Sequence, residues 1–137
     1  MDRRHFLTAA TAVAAVAALP ARAGSGALAY QPGLVTERLA AGDTVFLDFK
    51  ASWCTTCRAQ GRQIEALKAE NPAYVERITF IDVDWDEWKG SDIVARLNVP
   101  RRSTLIVLRG DQELGRVVAN PRREDIKALM DLGLTTS

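Results

Sequence analysis

The chain predicts a single α/β domain built on a mixed sheet. Apolar, β-branched runs alternate with segments of helical period, in the order α-β-α-β-α-β-β-α. The early crossovers favour parallel strands, and a closing hairpin adds an antiparallel one. A content of 47% apolar and 26% charged residues over 137 positions suits one ordinary globule. The net charge of +1 and the lack of any Lys/Arg block give no case for a nucleic-acid partner.

Residues 1–23 read as an export signal peptide that precedes the fold. Arg3 and Arg4 are followed by a short apolar run, and Ala21 and Ala23 stand in the A-x-A spacing of a cleavage site. The run from Leu7 to Leu19 falls short of the roughly 20 residues that span a bilayer. Arg3-Arg4-x-Phe6-Leu7 resembles a twin-arginine signal, although Asp2 and Thr8 depart from its usual flanks. Ordinary secretion and an uncleaved membrane anchor are the other readings. The signal routes place the mature chain outside the cytoplasm, in the periplasm. A chain beginning at Gly24 is long enough to bury a core without disulfide staples.

The elements follow in order. Residues 24–33 form a Gly-rich leader with room for a short edge strand at Ala27 to Tyr30. "LVTERLAAG" predicts a helix ending at Gly42, and "TVFLDFKA" (44–51) a buried strand. A helix from about Cys54 to Glu70 carries Cys57, Gly61, Ile64 and Leu67 on one face, and Asn71-Pro72 stops it. "RITFIDVDW" (77–85) is the next strand, and "SDIVARLNV" (91–99) a short helix capped by Ser91 or Asp92. "STLIVLRG" and "ELGRVVA" form a hairpin around Gly110-Asp111. The last helix takes Asn120 as its cap and Pro121 as its first residue.

Cys54 and Cys57 are the two cysteines of the chain. A zinc site needs about four ligands, and the single histidine, His5, lies in the export segment. A site completed by carboxylates or by a second chain stays open, but no metal is expected. A structural disulfide is the stronger rival, yet a bridge between residues three apart restrains the unfolded chain little. Placement favours chemistry. The strand ends near Ala51 and the helix begins near Cys54, so its sulfur meets unpaired backbone N–H groups and the positive helix end. Both favour the thiolate. Cys57, nearly one turn later, is within reach of a mixed disulfide on Cys54. Cys54 is therefore the attacking thiol and Cys57 the resolving one.

"FLDFKASWCTTC" resembles the active-site segment of the thioredoxin superfamily, and the likeness runs from about Leu34 to Leu132. The resemblance implies a thioredoxin fold: a mixed central sheet of four to five strands, flanked by helices on both faces. The cysteines would lie at a strand's C-terminal end. The domain is bounded at 34–134. The family's buried acid corresponds to Asp48, which shares a strand face with Phe46 and Lys50. Desolvation would raise its pKa and suit it to move the proton of Cys57. The rival reading pairs Asp48 with Lys50 or leaves it at an exposed sheet margin. Trp53 matches the family's Trp before the first Cys and offers an apolar docking surface, while Lys50 stands where many thioredoxins have another Trp.

Three departures accompany the likeness. Thr55-Thr56 separates the cysteines and supplies no fixed cation, which points to a reductant or moderate-potential carrier. The family's cis-Pro position holds Ser103, with Pro100 as an alternative equivalent. A trans bond is expected before Ser103, because cis costs about 2.5–4 kcal/mol before a non-proline residue. Arg102 would then flank the cysteines, and with Ser103 contact the client. Gly61 stands next to the family's helix-kinking Pro.

Asp82, Asp84 and Asp86 alternate as in a calcium loop, but Glu87 and Ile93 occupy the places that need Gly and Glu. Trp85 and Trp88 read as packing residues, and the arginine pairs 101–102 and 122–123 as exposed charge. The expected protein is a monomeric protein-disulfide reductase that uses no cofactor beyond its Cys54–Cys57 disulfide. Its expected clients are disulfide-bearing proteins such as apocytochromes, and a membrane electron donor re-reduces it. An oxidase or isomerase is the alternative within the class, and a non-catalytic binding module the alternative outside it.

Overall fold

The computed structural model describes residues 26–135. The export segment and its cleavage site lie outside the described residues. Five strands form one mixed sheet: β1 (Leu28–Ala29), β2 (Thr44–Lys50), β3 (Ile78–Asp84), β4 (Thr104–Arg109) and β5 (Gln112–Val118). Their order is β1-β3-β2-β4-β5. The β1–β3 and β2–β3 pairs are parallel, and the β2–β4 and β4–β5 pairs antiparallel. This is the mixed topology that early crossovers and a closing hairpin predict.

Six helices cover the sheet: α1 (Leu34–Ala40), α2 (Thr55–Glu70), α3 (Ala73–Arg77), α4 (Trp85–Trp88), α5 (Asp92–Arg96) and α6 (Arg123–Leu132). The period-2 alternation of β2 decides which of them meets which face. Val45, Leu47 and Phe49 pack with Val35 of α1 and with Ile93 and Val94 of α5. Phe46 points to the opposite face and packs with Ile64 and Leu67 of α2, Tyr74 of α3, and Ile126, Leu129 and Met130 of α6. Both faces of β2 are thus covered, which is why the strand is one apolar run interrupted by a single Asp.

Two short helices were not foreseen. Asn71-Pro72 stops α2 as expected, but the chain turns straight into α3: the Asn71 Oδ1 accepts the Ala73 N–H at 3.1 Å, and Pro72 already has helical φ. The aspartate run ends β3 and starts α4, because the Asp84 Oδ1 accepts the Asp86 N–H at 3.0 Å. The start of α6 needs correction. Arg122, in an extended conformation, is the N-cap, and Arg123 is the first helical residue. Asn120 instead closes a turn upstream. Its Oδ1 accepts the Arg122 N–H and its Nδ2 donates to Asp125 at 2.7 Å. Its side chain thus offers the backbone an alternative to capping the helix.

Candidate active site

Three pieces of backbone converge at the C-terminal end of β2. β2 delivers Asp48 and, beyond it, Ala51. Helix α2 begins at once, with Cys54 as its N-cap. The segment before β4 brings Ser103 alongside, because the Ser103 N–H donates to the Phe49 carbonyl at 2.8 Å.

Cys54 and Cys57 are disulfide-bonded, with Cα atoms 5.2 Å apart. The Cys57 N–H donates to the Cys54 Sγ at 3.1 Å, so an otherwise orphaned amide of the first helical turn is spent on sulfur. Both cysteines are buried, packed with Ala51 and against Trp85.

Asp48 is 5% exposed, and its Oδ1 has no hydrogen-bond partner. Burial pushes its pKa from 3.8 up to about 7; Asp82 adds to the rise, while Lys50 and Lys68 oppose it. Asp82 is its register partner across the parallel β2–β3 pair. Lys50 pairs with Asp82, at 3.7 Å. Asp48, Lys50, Asp82, Lys68 and Cys57 line one cavity of about 390 Å³. A carboxyl with its pKa near neutrality and the inner cysteine therefore line the same cavity.

Ser103 is fully buried, and its Oγ lies 3.1 Å from both the Cys54 and the Cys57 sulfur. No cis peptide bond occurs among the described residues, so the bond before Ser103 is trans, and Ser103 takes a φ of 63°. Pro100 is exposed. Ser103 has no surface to offer a client, and its carbonyl accepts from the Gln60 Nε2 at 3.0 Å and the Ala119 N–H at 2.9 Å.

Arg102 places its guanidinium carbon 4.4 Å from the centroid of the Trp53 ring. Trp53, 53% exposed, donates its indole N–H to the Asp86 Oδ2 at 2.8 Å. Trp53 and Arg102 thus form one surface beside the cysteines, held from below by Asp86. The site residues that sequence reasoning missed are Gln60, Asp82 and Asp86, while Trp85, read as a packing residue, packs against the cysteines. Gln60 carried a signal: it falls three residues after Cys57, a polar side chain on the apolar face of α2. The others depend on strand register and on α4.

The thioredoxin family model matches residues 34–132, the whole of the described sheet except β1. This chain belongs to the thioredoxin family. It is 32% identical over 87 residues to a thioredoxin of Echinococcus granulosus, covering 63% of this chain and 76% of that one. It is 32% identical over 100 residues to the mitochondrial thioredoxin-2 of Schizosaccharomyces pombe, covering 73% and 68%. Among solved structures, Trxlp from Edwardsiella tarda EIB202 superposes with a TM-score of 0.63 at 28% identity, over 77% of this chain and 96% of that one. Oxidised mitochondrial thioredoxin 3 from Saccharomyces cerevisiae gives a TM-score of 0.61 at 22% identity, over 77% and 94%, and shares the fold. Residues 1–20 match the TAT (twin-arginine translocation) pathway signal sequence. The protein is an exported, thioredoxin-fold thiol-disulfide oxidoreductase of the periplasm. Like its family it works through a redox-active cysteine pair on disulfide-bearing proteins.

Proposed function

We propose that this thioredoxin is a periplasmic reductant whose mature form begins after Ala23, with a leader at 24–33 and a catalytic domain at 34–134. The observation that carries the reading is the Cys54–Cys57 pair at the N-terminus of α2, with the high-pKa Asp48 on the same cavity as Cys57. The Cys54 thiolate attacks a client disulfide. A mixed disulfide forms, and one client sulfur leaves as a thiolate that takes up a proton. Cys57 passes its proton to Asp48 and attacks the Cys54 sulfur. The Cys54–Cys57 disulfide closes and the second client sulfur leaves, so two electrons have passed to the client. Trp53 and Arg102 supply the docking surface, one apolar and one cationic. A membrane electron donor restores the dithiol, and apocytochromes are among the clients.

Nothing cationic separates the cysteines, which supports a potential in the range of about −200 to −270 mV rather than that of a strong oxidant near −120 mV. Equilibration with glutathione measures it, and a value near the oxidant end would replace the reductase by an oxidase. Cys57→Ser tests the roles. It should accumulate mixed disulfides in periplasmic extracts that dithiothreitol removes, whereas Cys54→Ser should trap little. Equal trapping by both would reverse or abolish the assignment of attacker and resolver.

A further inference from the structure

Among the described residues, the hydroxyl of Ser103 is the polar side-chain group that meets both sulfurs of the site, at 3.1 Å each. Its backbone is tied on both sides: the N–H to Phe49, the carbonyl to Gln60 and Ala119. The side chain is fully buried, so the hydroxyl has no water to turn to. It is held against the cysteines by the same contacts that end β2 and begin β4.

In the disulfide neither sulfur carries a proton. The single Ser103 proton then serves one weakly accepting sulfur at a time. Reduction changes the exchange. A Cys54 thiolate is a charged acceptor, and hydrogen bonds to charged groups are about twice as strong as neutral ones. The thiol of Cys57 can in turn donate to the Ser103 oxygen, which has lone pairs to spare. The resulting chain runs from the Cys57 S–H to the Ser103 O–H to the Cys54 thiolate. With the Cys57 N–H already on the Cys54 sulfur at 3.1 Å, two donors converge on the nucleophile.

We propose that Ser103 is a catalytic residue whose hydroxyl donates to the Cys54 thiolate, holding the reduced pair in its reactive form and setting its redox poise. This deepens the reductase reading and rests on it. A proline at the same place has no hydroxyl and no N–H to donate. The departure from the family pattern at position 103 is therefore a change in the site's chemistry. The hydroxyl is a neutral donor, not the fixed cation whose absence between the cysteines supports a moderate potential.

The test uses the full chain in its reduced state. Alkylation of Cys54 by iodoacetamide is followed against pH for the wild type, Ser103→Ala and Ser103→Gly. Ala removes the hydroxyl and keeps the side-chain stub, whereas Gly removes it and relaxes the positive φ. Both should move the midpoint of the Cys54 titration upward by about one unit, a tenfold loss of thiolate below it. Both should shift the glutathione equilibrium severalfold toward the disulfide, since the reduced form loses the stronger bond. Midpoints equal to wild type in both variants would overturn the proposal, as would a shift in one variant alone, which would mark a backbone effect. A measurement on the wild type stands apart from how the variants fold. The Ser103 13Cβ resonance should follow the Cys54 titration, and a flat response across it would also overturn the proposal. Alkylation needs no client. A chain that traps no clients as Cys57→Ser but passes this test refutes the reductase reading and leaves the sulfur–hydroxyl bond standing.

Discussion

Asp48 is a charge that the fold has to hold down. Its carboxyl is buried at a cavity lined by Phe46, Phe80 and Ile64 together with Asp82 and Lys50. Burial raises its pKa from 3.8 to about 7. The unfolded chain therefore loses this proton near pH 4, while the folded chain keeps it until about pH 7. Stability from this group is full below pH 4, drains away as pH rises toward 7, and is absent above it. Asp48→Asn should leave stability nearly unchanged at pH 4. At pH 8 it should raise stability by on the order of 2–4 kcal/mol. Denaturant titrations of the oxidised protein at the two pH values measure this, and an equal gain at both would show that ionisation is not the cause. The same variant should slow release from the mixed disulfide at neutral pH, because Cys57 has lost its proton acceptor. Unaltered release rates would remove Asp48 from the chemistry.

At the scale of elements, register determines what surrounds that acid. The parallel β2–β3 pair sets Asp82 opposite Asp48 and Asp84 opposite Lys50. A like charge across the pair disfavours ionisation of Asp48, and Lys50, at 3.7 Å from Asp82, partly offsets it. Asp82→Asn removes the repelling charge and frees Lys50. The Asp48 titration should then fall clearly below 7, read from its 13Cγ shift against pH. An unmoved midpoint would mean that burial alone sets it. The junction of α2 with β2 performs the other half of the task. It points the first-turn amide of Cys57, which has no intrahelical carbonyl to meet, at the Cys54 sulfur. The contact of β4 with β2 ends at Phe49–Thr104, and the next residue back is Ser103. The sheet's own end thus delivers the hydroxyl to the sulfurs.

Across the whole molecule, the sheet buries both faces and leaves its chemistry at one end. Helices α1 and α5 cover one face, and α2, α3 and α6 the other. The cysteines, Ser103 and the Trp53–Arg102 surface gather where β2 ends, and the export signal precedes all of this in the chain. Its arginines make a prediction for the molecule as a unit. Replacing Arg3 and Arg4 by Lys should abolish periplasmic accumulation, because the twin-arginine route requires the arginines. An ordinary secretory signal needs only positive charge. Cell fractionation reads the result, and undiminished accumulation would assign the chain to the ordinary secretory route.

The sequence by itself determined the strands and long helices, and it singled out the cysteine pair at the start of a helix and the acid at position 48. These are local signals. Period-2 alternation separates Val45, Leu47 and Phe49 from Phe46 and Asp48 with no knowledge of what covers either face. The strand-to-helix junction at Cys54 follows from an apolar run meeting a helical one. The short helices α3 and α4 escaped because a few residues carry too little period to read, and their starts depend on the Asn71 and Asp84 side chains turning back on the backbone. Asn120 misled because a good capping residue also makes a good turn, and its neighbours decide which. Only the tertiary structure could place Asp82 beside Asp48, since their meeting is a fact of register between strands about 30 residues apart. Only it could turn Ser103 from an expected client-facing position into a buried residue whose hydroxyl lies against both sulfurs. That outcome depends on Phe49 of β2, Gln60 of α2 and Ala119 just past β5 closing on the backbone of one serine, with its hydroxyl against the two sulfurs.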